Sequence, residues 1–269
     1  MRNFIVFSFS AFIFLMGCNQ KKTINTDLNA EIAPLNDSIA SFVIDSVAVQ
    51  DSVKITENLT AAFHSKMLVF PSLSNKRVLD SIYSVENIHL NSYSAENITD
   101  SLKAKKDKFF RDTKESIKEW NPDFKQTWTN NSNMKLFSNT NGFLTIKYTG
   151  DGFTGGAHGY YYEKYKVFDL KKNTTLQLSD ILKNQNAEIW GRILMDHFLK
   201  NDLGKGQSEM LLVKEIPLNT NFYFDENNLF FLYNQYEIIA YAAGPVLIKI
   251  PLSDIKPFLN AEFKKRIAK

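Results

Sequence analysis

The chain has 269 residues, of which 44% are hydrophobic and 13% aromatic, enough to fill one or two small cores and to exclude a wholly disordered or collagen-like chain. Against 29 Asp and Glu stand 32 Lys and Arg, and the net charge of +3 is too slight to make an electrostatic case for nucleic acid. Cys18 is the single cysteine, which excludes an intramolecular disulfide and a cysteine-built zinc site.

The N-terminus begins Met1-Arg2-Asn3, runs apolar from Phe4 to Met16, and turns polar at Asn19. A basic end, a short apolar stretch and a small residue before a cut are the parts of a secretory signal. The stretch is about 14 residues, short of the roughly 20 that a permanent membrane helix needs. Leu15-Met16-Gly17-Cys18 resembles a bacterial lipobox. That resemblance implies removal of residues 1–17 and lipidation of Cys18, with several acyl chains holding the protein to a membrane. The acidic run that marks surface export in some lipoproteins does not occur at 19–22, so the expected position is the outer membrane, facing the periplasm. Residues 18–37 are polar and read as an extended tether.

From there the elements follow in order. The β-branched, partly alternating stretches 41–49 and 53–56 read as two paired strands, with a third over 62–70 ended by Pro71. Ser74 is placed to cap a short helix whose apolar face is Val78, Leu79, Ile82 and Tyr83. The spacing of Leu102, Phe109, Thr113, Ile117 and Trp120 predicts an amphipathic helix over 99–120, stopped at Asn121-Pro122. Its lysines alternate with acids, which favours a solvated face over a basic binding patch. Strands are expected over 126–138 and 143–149, joined by a turn containing the hairpin pair Asn141-Gly142. A long strand over 160–170 and a turn at 171–174 lead into Leu176-Gln177-Leu178. Asn186 caps a helix to Lys200 with Ile189, Trp190, Ile193, Leu194 and Phe198 inward. Short strands over 221–224, 229–233 and 246–251 and a polar terminal helix complete the chain. Strands interrupted by separate helices define an α+β fold with mostly antiparallel sheet, not a βαβ repeat. The expected division is an N-terminal domain over 38–163 and a C-terminal domain over 164–269.

Five of the 11 glycines lie between positions 150 and 159. Gly150 to Gly155 spells G-x-G-x-x-G, but a dinucleotide site needs a helix directly after it, and here a tyrosine-rich strand follows. Two readings remain: a backbone crossing that needs positive φ or close strand approach, and a ligand loop. His158 is the one ionisable side chain within 155–159, able to act as base or ligand, although a structural histidine on a backbone carbonyl fits the same position. His64, His89 and His197 are scattered, with no H-x-x-x-H pair, so no metal or other cofactor is expected, and His197 reads as a boundary histidine of its helix. No G-x-S-x-G turn presents a serine nucleophile. Asp225 and Glu226, side by side between two strands, read as turn formers. Tyr160, Tyr161, Tyr162 and Tyr165 divide between the faces of one strand; some belong to a core, and the rest suit sugar stacking or a protein partner.

Gly155-Gly156-Ala157-His158-Gly159, Phe168-Asp169-Leu170, Leu178-Ser179-Asp180-Ile181-Leu182, Phe222, Phe224 and the run from Tyr233 to Pro245 occur in an order that resembles a known extracytoplasmic module. That module is shared by RsiV-type anti-sigma factors and the N-terminal part of PdaC-type peptidoglycan deacetylases. In the RsiV type it is a receptor for lysozyme. The chain shows no sigma-binding segment ahead of its leader and no metal-dependent deacetylase domain, so neither of those activities is carried over. The resemblance implies a two-part, non-enzymatic binding module facing the cell wall, with a lysozyme-like muramidase or peptidoglycan as ligand. The loop residues expected to form its site are Gly155, Gly156, His158, Tyr160, Tyr161 and Tyr162, with Tyr236, Glu237, Gly244 and Pro245 on a second loop. A small peptidoglycan hydrolase with His158 as base and an outer-membrane scaffold are the alternatives.

Overall fold

The computed structural model describes residues 42–118 and 122–267. The leader, Cys18, the tether, Ser41, Trp120 and Asn121 lie outside the described residues. The expected α+β class is the observed one: two sheets, one of six strands and one of three, with five helices among the described residues.

The six-stranded sheet has its strands in chain order. β1 (Asp45–Lys54) pairs antiparallel with β2 (Leu59–Val69), Asp45 opposite Val69. The two strands expected over 41–49 and 53–56 are therefore one. The polar residues Gln50-Asp51-Ser52 do not break it, because β1 is an edge strand and Asp51 is held by Lys106 across 3.2 Å. Helix α1 (Lys76–Tyr83) buries the expected face, but its cap is Asn75, whose Oδ1 accepts from the Arg77 and Val78 amides, one residue after Ser74. Helix α2 (Ala95–Ser116) starts four residues earlier than its stripe suggested. Ser94 caps it through the Asn97 amide, and Ile98, fully buried, adds a turn to the apolar face. Lys103 and Lys108 pair with acids on the exposed face, whereas Lys105 and Lys106 are half-buried and tie the helix to Glu86 and to Asp51 of β1.

The chain re-enters the sheet beside β2 in β3 (Gln126–Thr140), and these two strands are parallel because both helices lie in the crossover between them. β3 turns back into β4 (Phe143–Phe153) through Asn141 and Gly142, at φ 55° and 75°, the paired left-handed conformations of a two-residue hairpin turn. β5 (Tyr160–Asp169) and the two-residue β6 (Thr174–Thr175) complete this sheet. Leu178 opens the short helix α3 (Leu178–Ile181), whose Asp180 accepts from the Gln177 amide.

Helix α4 (Ala187–Asn201) begins at the expected Asn186 cap and buries Trp190, Leu194 and Phe198. His197 sits at its boundary, 8% exposed and 3.6 Å from Asp254, and burial holds its imidazole below the usual histidine range. β7 (Phe222–Phe224), β8 (Asn228–Tyr233) and β9 (Val246–Pro251) form the second sheet, and α5 (Ala261–Ile267) ends the described chain. Asp225 accepts from the Asn227 and Asn228 amides in the β7–β8 turn, the role expected of it.

Strand alternation on β5 organises the molecule. Phe168 points into a core with Phe63, Met67, Ile82, Tyr83, Ile98 and Leu102 of β2, α1 and α2. Tyr165 and Val167 point to the opposite face, into a second core with Trp190, Leu194, Phe231 and Ile248. One strand thus belongs to both cores, and the boundary expected after residue 163 falls within it.

Candidate functional site

β6 covers only the last two residues of the outer edge of β5, so the remaining backbone groups of that edge need other partners. Two asparagine side chains supply them. The Glu163 amide donates to Asn234 Oδ1 at 2.8 Å, while Asn234 Nδ2 and Asn221 Nδ2 donate to the Glu163 carbonyl at 3.1 and 2.8 Å. The Tyr165 amide donates to Asn221 Oδ1 at 2.7 Å. This clamp brings the loop after β8 against the start of β5.

At that junction the two loops meet. The His158 ring stacks on Tyr241 with centroids 4.1 Å apart, and the Tyr241 hydroxyl donates to the Gly159 carbonyl at 3.1 Å. His158 Nδ1 lies 2.8 Å from the same carbonyl, which can only accept, so Nδ1 carries a proton. Tyr236 lies 5.7 Å from Tyr241, centroid to centroid, and is 60% exposed. Its φ of 67° is left-handed, an uncommon state for a bulky side chain. The surrounding turn enforces it: the Tyr236 amide donates to the Ile239 carbonyl, the Glu237 amide to the Asn234 carbonyl, and the Asn234 amide to Glu237 Oε2. The result is an exposed ledge of three rings, His158, Tyr241 and Tyr236.

The other expected residues are divided. Gly155 and Gly156, at φ 92° and 91°, adopt the left-handed conformations that let the loop turn. Tyr160 and Tyr162 lie on the helix side of the sheet, across Gly152 and Gly150, where a Cβ would stand 2.7 and 2.2 Å from their rings. The Tyr162 hydroxyl donates to the buried Glu86 carboxylate at 2.8 Å. Burial, then that carboxylate, pushes the Tyr162 phenol far above its ordinary range. Tyr161 is on the opposite face and donates to Glu163 Oε2 at 2.9 Å; burial first, then this bond, pushes its phenol up to about 12. Burial acts to raise the Glu163 carboxyl, but Lys147 at 2.8 Å and the hydroxyls of Tyr165 and Tyr161 outweigh it and hold it below the usual range. Glu237 caps its own turn, the Gly244 amide donates to the Tyr241 carbonyl, and Gln207 Nε2 donates to the Ala243 and Pro245 carbonyls on either side of Gly244.

Sequence reasoning missed Asn221, Asn234 and the central role of Tyr241, although Tyr241 lies inside the run that carried the resemblance. Among the described residues no three His, Cys, Asp or Glu side chains gather as metal ligands, and no helix is long and apolar enough to cross a membrane.

A six-stranded and a three-stranded sheet, with β5 of the first packed into both cores and an aromatic ledge at one end of β5, define the class of this protein: a two-core α+β module. Residues 166–253 match the family described as "Protein of unknown function (DUF3298)". The crystal structure of a DUF3298 family member from Bacteroides fragilis NCTC 9343 has the same fold, with a TM-score of 0.72 and 18% identity over 84% of this chain and 97% of that one. A DUF3298 family protein from Pseudomonas aeruginosa PAO1 is similar at a TM-score of 0.56, again with 18% identity, over 82% of this chain and 95% of that one. No curated protein matches the chain.

Proposed function

We propose that this protein is a non-enzymatic envelope lipoprotein of the RsiV/PdaC-like kind, anchored through Cys18. Its His158–Tyr241–Tyr236 ledge captures a wall-associated ligand, a lysozyme-like muramidase or peptidoglycan itself. The observation that carries this reading is Tyr236, a large ring held outward in a left-handed conformation beside a stacked histidine–tyrosine pair. Such strain costs on the order of 1–2 kcal/mol per residue and survives where the surroundings impose it, which is the pattern of a binding surface. Flat amphipathic rings suit sugar faces and protein hot spots alike. A hydrolase using His158 as base would need a nucleophile or metal beside it, and its neighbours are a phenol ring and a carbonyl.

Pull-down from envelope extract, with lysozyme and purified peptidoglycan as parallel baits, tests the proposal. Capture of one of them by the wild type and loss of capture by Tyr236→Ala is the expected result. Equal capture by both proteins, or capture of neither bait, overturns it.

A further inference from the structure

On the helix side of the first sheet, away from the ledge, Lys166 of β5 stands behind α1 with only neutral partners. Its Nζ donates to the Ser81 carbonyl at 2.8 Å, Ser81 Oγ at 3.1 Å and Ser84 Oγ at 3.4 Å. Ser81 and Ser84 in turn line an open groove of about 590 Å³ along α1. Ser81 Oγ lies 2.5 Å from Thr175 Oγ1, which lines an adjoining groove of about 530 Å³. Arg77 borders both.

The charges around this double groove do not balance. On α1, Asp80 is already held by Lys76 at 2.6 Å and by the Tyr93 hydroxyl at 2.7 Å, with His89 across the groove. In the turn after α1, Glu86 is held by Lys105 and Tyr162; beside β6, Lys172 is paired with Glu262 at 2.8 Å. On β4 and α1 the neighbouring titratable groups are the buried phenols Tyr148 and Tyr83, which stay neutral, their hydroxyls donating to carbonyls. Among the described residues Arg77, Lys164 and Lys166 have no acid partner in an ion pair. Burial, then the like charge of Lys164, depresses the Lys166 amine to about 8.

We infer that this double groove binds a tetrahedral oxyanion of the phosphate-ester class, gripped by Arg77 and the Ser81–Thr175 hydroxyl pair and balanced by Lys166 one hydroxyl behind them. An ammonium removed from water without a counter-ion is costly, and an anion in the groove supplies the missing charge. The guanidinium fork, beside the one hydroxyl proton that the Ser81–Thr175 pair leaves free while the Ser84 hydroxyl donates to the Ser81 carbonyl, matches an acceptor with several oxygens better than a single point charge would. The inference stands on residues separate from the ledge and does not depend on the proposed ligand there.

Titration with inorganic phosphate at constant ionic strength, followed by backbone amide shifts, is the test. Saturable shifts confined to residues 76–91 and 172–177 are expected, with affinity lowered about tenfold in Arg77→Gln, the scale of one charge-assisted contact. Sulfate, whose charge is constant over the range, should bind more weakly from about pH 7 to 9 as Lys166 discharges, and Lys166→Met should remove that dependence. Co-sedimentation separates the sources. Binding to phosphatidylglycerol vesicles but not to phosphatidylcholine, lost in Arg77→Gln, assigns a lipid headgroup; phosphate binding without vesicle binding assigns a soluble phosphate ester. Because Arg77 is exposed, its variant keeps the fold. The absence of saturable shifts, or equal phosphate affinity in Arg77→Gln and wild type, overturns the inference.

Discussion

Replacing Gly150 by alanine perturbs a single contact whose cost can be worked out. The new Cβ would stand 2.2 Å from Tyr162 Cε1 and 2.6 Å from Cζ, distances that no real methyl group tolerates. The ring must swing away, and with it goes the hydroxyl that donates to the Glu86 carboxylate at 2.8 Å. Glu86 is 5% exposed, so water does not readily replace that donor, and Lys105 remains as its partner. Loss of a hydrogen bond to a charged group costs about 1.5–3 kcal/mol, and overpacking adds about 1–3 kcal/mol. Gly150→Ala should therefore destabilise by about 2.5–6 kcal/mol, read from urea unfolding midpoints at unchanged slope. In a Tyr162→Ala background the three atoms nearest the methyl are gone, and alanine should become close to neutral in the strand. The double-mutant cycle should show a coupling of at least about 2 kcal/mol. A Gly150→Ala cost within about 0.5 kcal/mol of zero, or one of equal size in both backgrounds, refutes the close-approach account of this glycine.

Three other perturbations separate the roles assigned above. Tyr236→Gly should relieve the left-handed strain and raise unfolding stability by about 1 kcal/mol while abolishing ligand capture; a loss of stability would show that the ring is architectural. Lys166 has a folded value of about 8, below its value in the unfolded chain, so between the two the unfolded state binds more protons and stability rises with pH. Urea midpoints should therefore climb from about pH 8 to 10 in the wild type and stay flat in Lys166→Met, before the buried tyrosines reverse the trend at higher pH. Cys18→Ala should move the protein from the membrane to the soluble fraction; unchanged fractionation would rule out the lipid anchor.

Most elements were legible because their signals are local. The Asn186 cap and the apolar spacing of Trp190, Leu194 and Phe198 are enough to place α4, and Asn141-Gly142 is enough to place the β3–β4 hairpin. The continuity of β1 was not legible, since Gln50-Asp51-Ser52 is a strand only by virtue of β2 alongside and Lys106 above. The same distinction divides the site. The glycine cluster announced close approach, and the two-residue alternation announced that the tyrosines would separate onto two faces. The partners were hidden: Glu86 is 76 residues from Tyr162, and Asn234 is 71 from Glu163. No pattern within a segment encodes contacts at that separation.

Those distant contacts also explain why the ledge lies where it does. An uncovered strand edge is a template for pairing with another chain, and the two residues of β6 leave most of the β5 edge open. A further strand would have closed it with backbone groups and left no room for side chains at the junction. Asn221 and Asn234 close it with amides instead, satisfying the Glu163 and Tyr165 backbone from loops that remain free to carry other residues. The same loop that delivers Asn234 to β5 turns immediately afterwards through Tyr236, and three residues beyond Ile238 it places Tyr241 under His158. Protection of the edge and presentation of the rings are therefore one structural arrangement. Its position depends on both cores, because β5 is packed into one by Phe168 and into the other by Tyr165 and Val167.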